Sequence, residues 1–336
     1  MNSVKIHDER YQGLIRWLGT LWESGPLAPG KLGGDASFRR YYRLSHHATS
    51  YIAMDCPPQH ENAEKFVSIA RLFASLGIQV PGIKAANHIG GYLLLSDMGD
   101  TTLWNMLSHR SDIDGFYRAA IDVLLRFQTK YTGSVPALPV YNRQMLVEEM
   151  RLFPDWYVEK YLDCTLSERD RAELEGIMTI IADQALLQPQ VLVHRDYHSR
   201  NLMVLPDHSL GVLDFQDAVV GPVTYDLVSL LRDCYVYWPD ARVEEWRRYY
   251  LDQAHQLGML PGVGEVEFLD AFTAMGLQRH LKVAGIFARL WLRDGKAGYL
   301  KDIPLTIRYL LDATPQNSRW ADLGRLLRRL PHKATS

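Results

Sequence analysis

The chain lacks several features that mark whole classes of protein. Its three cysteines, Cys56, Cys164 and Cys234, are far apart and include no CxxC pair, which argues against a disulfide framework or a zinc site and suits reduced thiols in the cytoplasm. No apolar run approaches the roughly 18 residues that span a membrane, and the N-terminus carries charges where a signal peptide needs an apolar core. The formal net charge is only -2. We therefore expect neither nucleic acid nor a membrane as a partner, and no obligate protein partner is evident.

The most informative stretch is VLVHRDYHSRNLMVLPDHSLGVLDFQDA, residues 191–218. An apolar run, the loop HRDYHSRN, a second short apolar run, a turn and a third apolar run ending at Asp214 follow one another. This pattern predicts a strand, a polar loop and a hairpin with an acidic residue at its end.

The polar loop has the spacing H-x-D-x-x-x-x-N, formed by His194, Asp196 and Asn201. Transfer of a phosphoryl group from ATP needs a carboxylate that accepts the proton of a hydroxyl, and oxygen ligands for Mg²⁺ nearby. Asp196 can fill the first role, and Asn201 with Asp214 the second. Each residue alone is weak evidence, but their combination with apolar strands predicts a kinase-type site. His194 is expected to anchor the loop.

With these motifs the chain resembles the superfamily of aminoglycoside phosphotransferases and choline kinases. The continuation GPVTYDLVSLLRD, residues 221–233, is similar too, and Asp226 matches an aspartate that supports the catalytic loop in such proteins. The resemblance implies an α+β, bilobal protein-kinase-like fold. It places a small antiparallel-sheet lobe with the nucleotide in residues 1–98, and a larger, mainly helical catalytic lobe in residues 99–336.

The resemblance also assigns residues of the small lobe to the phosphates of ATP. Gly34 and Ser37 match the glycine loop that covers the phosphates. The strand YIAMD, residues 51–55, lacks the lysine that kinases use to bind them. Arg39 is our first candidate for the missing positive charge and Arg40 the second, with solvent-exposed strand residues as the alternative.

Helical spacing predicts a helix in residues 61–83 that ends at Gly77. In the family such a helix can brace the phosphate-binding cation, here through Glu64, although an exposed Glu is the simpler interpretation. In the family, the apolar strand that matches the one starting here at Tyr92 leads to a hinge that binds adenine through its backbone, and Ser96 and Met98 hold the matching places.

The acceptor site is expected in the helical lobe. Residues 142–163 combine acids with aromatic rings, including Glu149 and Trp156. Such a set can bind a sugar but is equally typical of a partly buried helix. The helix predicted in residues 271–300 is basic. This speaks against a polycationic acceptor, although an aminoglycoside, a choline-like amine or a catalytically silent kinase-like protein remains an alternative.

Several longer strings resemble one family in particular, the anomeric kinases of N-acetylmuramate and N-acetylglucosamine in bacterial cell-wall recycling. They include GGDASFRRYYRL, LFPDWY and QRHLKVAGIFARL. This resemblance implies ATP and Mg²⁺ as cofactors, a small amino sugar as substrate and its 1-phosphate as product. It gives one arginine, of which Arg279 is the first candidate, the task of binding the lactyl carboxylate of N-acetylmuramate.

Overall fold

The computed structural model describes residues 8–22, 28–33, 37–107, 113–133 and 137–331. Its N-terminal part forms a five-stranded antiparallel sheet in the order β1-β2-β3-β5-β4. β2 and β3 pair along their whole length, because His47 and Ala48 reverse the chain with positive φ angles. The strands are β1 (Gly30–Lys31), β2 (Arg40–His46), β3 (Thr49–Asp55), β4 (Ile83–Asn87) and β5 (Tyr92–Ser96).

Different helices cover the two faces of this sheet, since side chains alternate between faces along a strand. On one face Tyr42 and Leu44 form a small core with Leu14 and Leu18 of helix α1 (Glu9–Gly19). On the other face the sheet joins the main core through helix α2 (Ala63–Ser75). The second face is the one that continues into the rest of the molecule.

After the sheet the chain is mainly helical. At Pro154 the missing backbone N–H interrupts the regular pattern, and the chain continues in wider π-helical turns. The remaining helices are α3 (Leu103–Met106), α4 (Ile113–Lys130), α5 (Arg143–Leu152) with the π-helical Phe153–Tyr161, α6 (Glu168–Leu186), α7 (Tyr225–Leu231), α8 (Asp240–Gln256), α9 (Glu265–Asp294), α10 (Ile303–Ala313) and α11 (Ala321–Arg329), and short 3₁₀ turns span Ala297–Asp302 and Ser318–Trp320.

Helix α9 is the centre of the helical part, where it packs against α5, the π-helical segment, α6, α7 and α10. At Gly285 it passes so close to Leu152 that a Cβ atom would lie 2.2 Å from the carbonyl carbon of that residue. Only glycine permits this approach. The close crossing sets the position of the face of α9 that carries the basic residues.

Two further sheets have two strands each, and one of them is a hairpin. β6 (Gln190–Val193) pairs with β9 (Val219–Pro222), and β7 (Leu202–Val204) pairs with β8 (Leu210–Val212). The loop HRDYHSRN connects β6 to β7, and Asp214 follows β8 after one intervening residue, Leu213. The two segments are held next to each other, since the N–H of Leu213 donates to the carbonyl of Asn201.

The predicted α+β, kinase-like architecture is confirmed, with a small antiparallel sheet followed by a mainly helical part. Strands β6, β7 and β8 are confirmed as well, whereas β4 and β9 were not predicted. The predicted helix of residues 142–163 consists of α5 up to Leu152 and π-helical turns from Phe153 to Tyr161. Among the described residues no helix is both long and apolar enough to cross a membrane.

Candidate active site

The loop between β6 and β7 is built around His194. Its Nε2 lies 2.9 Å from the carbonyl oxygen of Leu213, and its Nδ1 lies 3.2 Å from the backbone nitrogen of Asp196. Because a carbonyl only accepts and an N–H only donates, the ring carries its proton on Nε2. Burial lowers the pKa of His194 to about 4, so the ring is neutral. His194 therefore holds the loop in place, as predicted.

A buried carboxylate at the start of α7 supports the same loop from behind. Asp226 accepts hydrogen bonds from the backbone N–H groups of His194 at 2.6 Å and Arg195 at 3.0 Å. Burial raises the pKa of Asp226 to about 7, although these two hydrogen bonds favour its charged form. The family resemblance assigns this support to Asp226, and the structure contains the contact.

Arg195 adopts a φ angle of 79°, in the left-handed region that favours glycine. Its Nε donates to the hydroxyl of Tyr141 at 2.8 Å, and its Nη2 forms an ion pair with Glu149. Glu149 also contacts Lys282 at 3.0 Å and accepts a hydrogen bond from Gln278 at 2.9 Å. This buried network offsets the strain at Arg195 and fixes the residue directly before Asp196.

The second half of the loop is held by Asp233, which is fully buried. One of its oxygens accepts from the backbone N–H of Ser199 at 3.0 Å and from its hydroxyl at 2.6 Å. Asn201 donates its side-chain Nδ2 to the carbonyl of Asp196 at 2.9 Å. The amide oxygen of Asn201 is thus left as the acceptor of that side chain.

Asp214 lies beside Asn201 because the N–H of Leu213 donates to the carbonyl of Asn201 at 2.9 Å. The backbone of Asp214 has a φ angle of 61°, which turns the chain sharply at the end of β8. One carboxylate oxygen accepts hydrogen bonds from Gln216 at 3.0 Å and from Arg39 at 3.3 Å. The carboxylate keeps 41% of its surface accessible. It can therefore take a further ligand.

The pKa values of the two acidic residues move in opposite directions. Burial alone would raise the pKa of Asp196, but the positive charges of Lys282 and Arg279 outweigh burial and lower it. Burial and then the negative charge of Asp196 raise the pKa of Asp214. Asp196 is thus kept ionised by its cations, whereas a cation bound at Asp214 would relieve the repulsion between the two groups.

Across from these acids, the base of the loop before β2 provides a positive charge. The side chain of Arg39 is 7% exposed, with Nε 3.7 Å from Glu61, and its backbone N–H donates to the hydroxyl of Ser37 at 3.2 Å. Its Nη1 is buried without a hydrogen-bond partner among the described residues. Arg40 bonds instead to the buried Asp55 and to Asp8, so Arg40 is a structural residue.

The two sides enclose a cleft of about 710 Å³ between the sheet and the helical part. The cleft brings together most of the residues that the sequence predicts for the site. Those that line it are Ser37, Arg39, Ser96, Met98, Asp196, Asn201, Asp214 and Arg279.

Other predicted residues lie elsewhere. Gly34 lies outside the described residues. Glu149 and Trp156 are not among the described residues that line the cleft, because Glu149 is engaged by Arg195 and Trp156 packs on the main core with the ammonium of Lys160 3.6 Å from its ring. Glu149 and Trp156 thus make contacts within the protein, which agrees with the alternative interpretation of a partly buried helix.

Two further predictions change in detail, and the simpler interpretation of Glu64 agrees with the structure. The backbone N–H of Ser96 is bonded to the carbonyl of Gly82 at 2.9 Å, so Ser96 cannot offer it to adenine. Arg279 lines the cleft, but it is 3% exposed and donates to the carbonyl of Arg195 at 3.0 Å. Glu64 is exposed, and the acid next to Arg39 is Glu61.

Sequence reasoning missed several residues of the cleft and its surroundings. His198 lines the cleft two residues after Asp196, with a buried Nδ1 that has no hydrogen-bond partner among the described residues. Lys282 reaches Glu149 from α9. The repeated histidine in HRDYH was a signal for the first residue. For Lys282, the sequence showed the basic pattern of α9, but it did not show that Glu149, 133 positions earlier, is its ion-pair partner.

The chemistry of this cleft follows from its two sides. Carboxylate and amide oxygens on one side are ligands for a hard divalent cation, and a guanidinium on the other can bind phosphate oxygens. Between them an ionised carboxylate, Asp196, can accept a hydrogen bond from a hydroxyl group. The arrangement is suited to bringing a metal-bound polyphosphate against an alcohol.

Comparisons with known proteins agree with this chemistry. Residues 31–269 match the model of the "Phosphotransferase enzyme family". The chain is 43% identical to an N-acetylmuramate/N-acetylglucosamine kinase from Pseudomonas putida, over 96% of this chain and 97% of that protein. Among solved structures it resembles a choline kinase from Streptococcus pneumoniae, with a TM-score of 0.64 and 12% identity over 90% of this chain and 99% of the other.

A GDP complex of an aminoglycoside 2'-phosphotransferase gives a TM-score of 0.59 with 16% identity, over 90% of this chain and 98% of the other. At such low identities these two solved structures bear on the fold alone, which is the same in all three proteins. The family match covers more than two thirds of the chain, and the curated relative covers nearly all of it. From its sequence, its fold and the contents of its cleft, the chain belongs to the phosphotransferase enzyme family.

Proposed function

We propose that this protein uses ATP and Mg²⁺ to phosphorylate the anomeric hydroxyl of N-acetylmuramate and N-acetylglucosamine, as a step of peptidoglycan recycling in the cytoplasm. The observation that carries the chemistry is the cleft itself, in which Asp196, Asn201 and Asp214 face Arg39. The choice of sugar is supported by the high identity to a relative named for these two substrates. The product is the sugar 1-phosphate.

In this proposal ATP lies between a nucleotide lobe of residues 1–98 and a catalytic lobe of residues 99–336. The adenine lies near Met98. Ser96, two residues earlier, lines the cleft, but its backbone N–H is bonded to Gly82 and is not available to adenine. The loop that contains Gly34 and Ser37 covers the phosphates, and Arg39 takes the place of the strand lysine of kinases. The unpartnered Nη1 of Arg39 supports this assignment, because a buried N–H of a guanidinium needs an acceptor.

Mg²⁺ fits the oxygens of Asn201 and Asp214. This cation typically takes one or two protein ligands and completes its shell with phosphates and water. Among the described residues no three His, Cys, Asp or Glu side chains form a self-contained metal centre, and none is required for a cation bound with its nucleotide. When bound, Mg²⁺ neutralises charge that develops on the phosphates.

Asp196 orients the anomeric hydroxyl and accepts its proton while the phosphoryl group moves in line. Its lowered pKa makes it a weak base. This is compatible with phosphoryl transfer, because positioning and electrostatic stabilisation contribute most of the catalysis in such reactions. Arg279 and Lys282 keep Asp196 ionised, so its orienting role persists through neutral pH.

The test is transfer from ATP with Mg²⁺ to N-acetylmuramate, N-acetylglucosamine, kanamycin and choline in parallel, with the phosphorylated position read by phosphorus NMR. We expect a sugar 1-phosphate with both amino sugars. Transfer to kanamycin or choline alone would replace the proposed acceptor and keep the catalytic residues. Absence of transfer to every acceptor would favour a catalytically silent protein.

A further inference from the structure

The face of α9 toward the cleft carries two arginines that differ in their surroundings. Arg279 and Arg289 both line the cleft, with Val283, Ile286 and Leu290 between or beside them. Ten residues of helix place the two arginines about 15 Å apart along the axis. Helical side chains lean toward the N-terminus. That of Arg289 therefore leans toward Arg279 and the catalytic loop.

Five arginines line the cleft, and four have their charge or hydrogen-bonding groups engaged. Arg39 is bonded to Asp214, and Arg279 to the carbonyl of Arg195. Arg43 pairs with Asp97 and Asp100. Arg200 lies 3.6 Å from the centre of the ring of Tyr235 and 4.0 Å from Asp302.

Arg289 is the exception. Among the described residues it forms no ion pair, and its Nε is buried without a hydrogen-bond partner. Burial, followed by repulsion from Arg293, lowers the pKa of Arg289. The carboxylate acting on it is that of Asp294, which already pairs with Arg293 at 2.7 Å. A half-buried guanidinium in this state lacks an anion.

We propose that Arg289 binds the carboxylate of an acidic amino-sugar acceptor, namely the lactyl group of N-acetylmuramate, and sets the preference for that sugar over N-acetylglucosamine. This inference rests on the proposed function. A planar guanidinium can bind a carboxylate through two parallel hydrogen bonds. The apolar side chains of Val283 and Ile286 beside it suit the methyl groups of the lactyl and acetamido substituents.

A carboxylate explains the position of Arg289 better than a nucleotide phosphate. The phosphate chain is expected beside Arg39 and Asp214, which are bonded to each other across the cleft. Arg289 instead follows Arg279 along α9, on the helical side of the cleft, where the acceptor has to lie to reach Asp196.

The test compares the two sugars, which differ only by the lactyl ether, in the Arg289→Gln and Arg289→Lys variants. For Arg289→Gln we expect the KM for N-acetylmuramate to rise about ten- to hundredfold, in the range of a lost charged hydrogen bond. The effect on N-acetylglucosamine should be at least tenfold smaller. Arg289→Lys should recover part of the affinity for N-acetylmuramate alone, because it restores the charge without the planar fork.

Arg293→Gln is the matched control. Arg293 lies one turn further on the same helix, has a side chain that is 56% exposed, and does not line the cleft. This variant should keep both sugars within about twofold of the wild type, and thermal unfolding of all three variants should show that they fold. The KM for ATP, measured with N-acetylglucosamine as acceptor, tests a nucleotide role of Arg289.

Three results would overturn the assignment of Arg289. They are equal losses with both sugars, an unchanged KM for N-acetylmuramate, and a rise in the KM for ATP as large as that for N-acetylmuramate. A wild-type protein that phosphorylates N-acetylglucosamine but not N-acetylmuramate would overturn it as well and leave the proposed kinase intact. Transfer to neither sugar by the wild type would instead reject the proposed function, and the carboxylate assignment with it.

Discussion

The two sides of the cleft hold their functional groups in different ways. On the helical side the catalytic loop is fixed through its backbone, since Asp226 and Asp233, both fully buried, accept its N–H groups. On the sheet side Arg39 is held through its side chain, by Glu61 and by Asp214 from the opposite side. The helical side is therefore prepared before any ligand binds, whereas the cation of the sheet side depends on both parts of the molecule.

The largest expected effect tests the prepared side. Asp196→Asn should lower kcat about 10²- to 10⁴-fold, because the amide cannot accept the proton of the hydroxyl. The KM for ATP should stay within about threefold, since Asp214, Asn201 and Arg39 remain. Steady-state kinetics with either amino sugar measure both values.

Asp207→Asn is the control for this variant. Asp207 is an exposed turn residue between β7 and β8 that bonds to Ser209, and its loss should not change kcat. Near-normal turnover by Asp196→Asn would show that Asp196 does not accept the proton of the hydroxyl. The catalytic role proposed for the helical side would then be wrong.

The second prediction concerns the carboxylate behind the loop. The pKa of Asp226 is raised from 3.8 to about 7, so between these values the folded protein binds a proton that the unfolded chain has released. The free energy of unfolding contributed by this group is therefore present at low pH and falls as the pH rises, by up to about 1.4 kcal/mol per pH unit. Asp226→Asn should remove this component.

Urea unfolding of the wild type and of Asp226→Asn at several pH values between about 4.5 and 7.5 measures the difference between the two slopes. The variant also loses one acceptor for the loop, which lowers its stability at every pH and leaves the slope unaffected. If the free energy of unfolding depended on pH equally in the wild type and in Asp226→Asn, Asp226 would not titrate in this range. The loop would then be held by the ionised carboxylate.

The third prediction tests the sheet side through two adjacent arginines. Arg39→Gln should raise the KM for ATP about tenfold or more, as a charged hydrogen bond to phosphate contributes about 1.5–3 kcal/mol. Arg40→Gln should leave the KM for ATP unchanged and lower the free energy of unfolding by about 1–3 kcal/mol, since Asp55 keeps only Arg10 as its ion-pair partner among the described residues. Kinetics and urea unfolding of both variants separate the two effects.

The smallest expected effect distinguishes the two acids near Arg39. Glu61→Gln should raise the KM for ATP by about two- to fivefold, because the guanidinium of Arg39 loses the ion-pair partner, 3.7 Å from its Nε, that helps to hold it in position. Glu64→Gln, on the exposed surface of α2, should change it by less than about twofold. A larger effect for Glu64 than for Glu61 would mean that α2 moves toward Arg39 when nucleotide binds.

The success of the sequence reasoning differed between the same two sides. The motif that joins His194, Asp196, Asn201 and Asp214 lies within 21 consecutive residues, and these residues lie together because short strands and one hairpin connect them. Arg39 was the first candidate for the cation of the sheet side on resemblance alone. Glu64 was considered as its acid partner, with an exposed Glu as the simpler interpretation, and the structure agrees with the latter. Helical periodicity places Glu64 on α2 but does not show which way the start of that helix faces.

The acceptor region was the least predictable. Glu149 and Trp156 have the residue types of a sugar site, yet a segment of acids and rings can face either a ligand or the core. The decisive contact of Glu149 is with Arg195, 46 residues later. That contact depends on the left-handed backbone of Arg195, and no local pattern predicts it.

The sequence by itself determined the order of the catalytic loop and the acid that follows β8, because each depends on neighbours along the chain. The fold class followed from the family resemblance. Tertiary structure decided which charges are paired. The network of Arg195, Glu149 and Lys282 and the bond between Arg39 and Asp214 join residues far apart in the chain. Tertiary structure also left the buried Nε of Arg289 without a hydrogen-bond partner among the described residues. The role of a charged residue depends on which oppositely charged group lies next to it, and for residues far apart in the chain only the folded structure determines that.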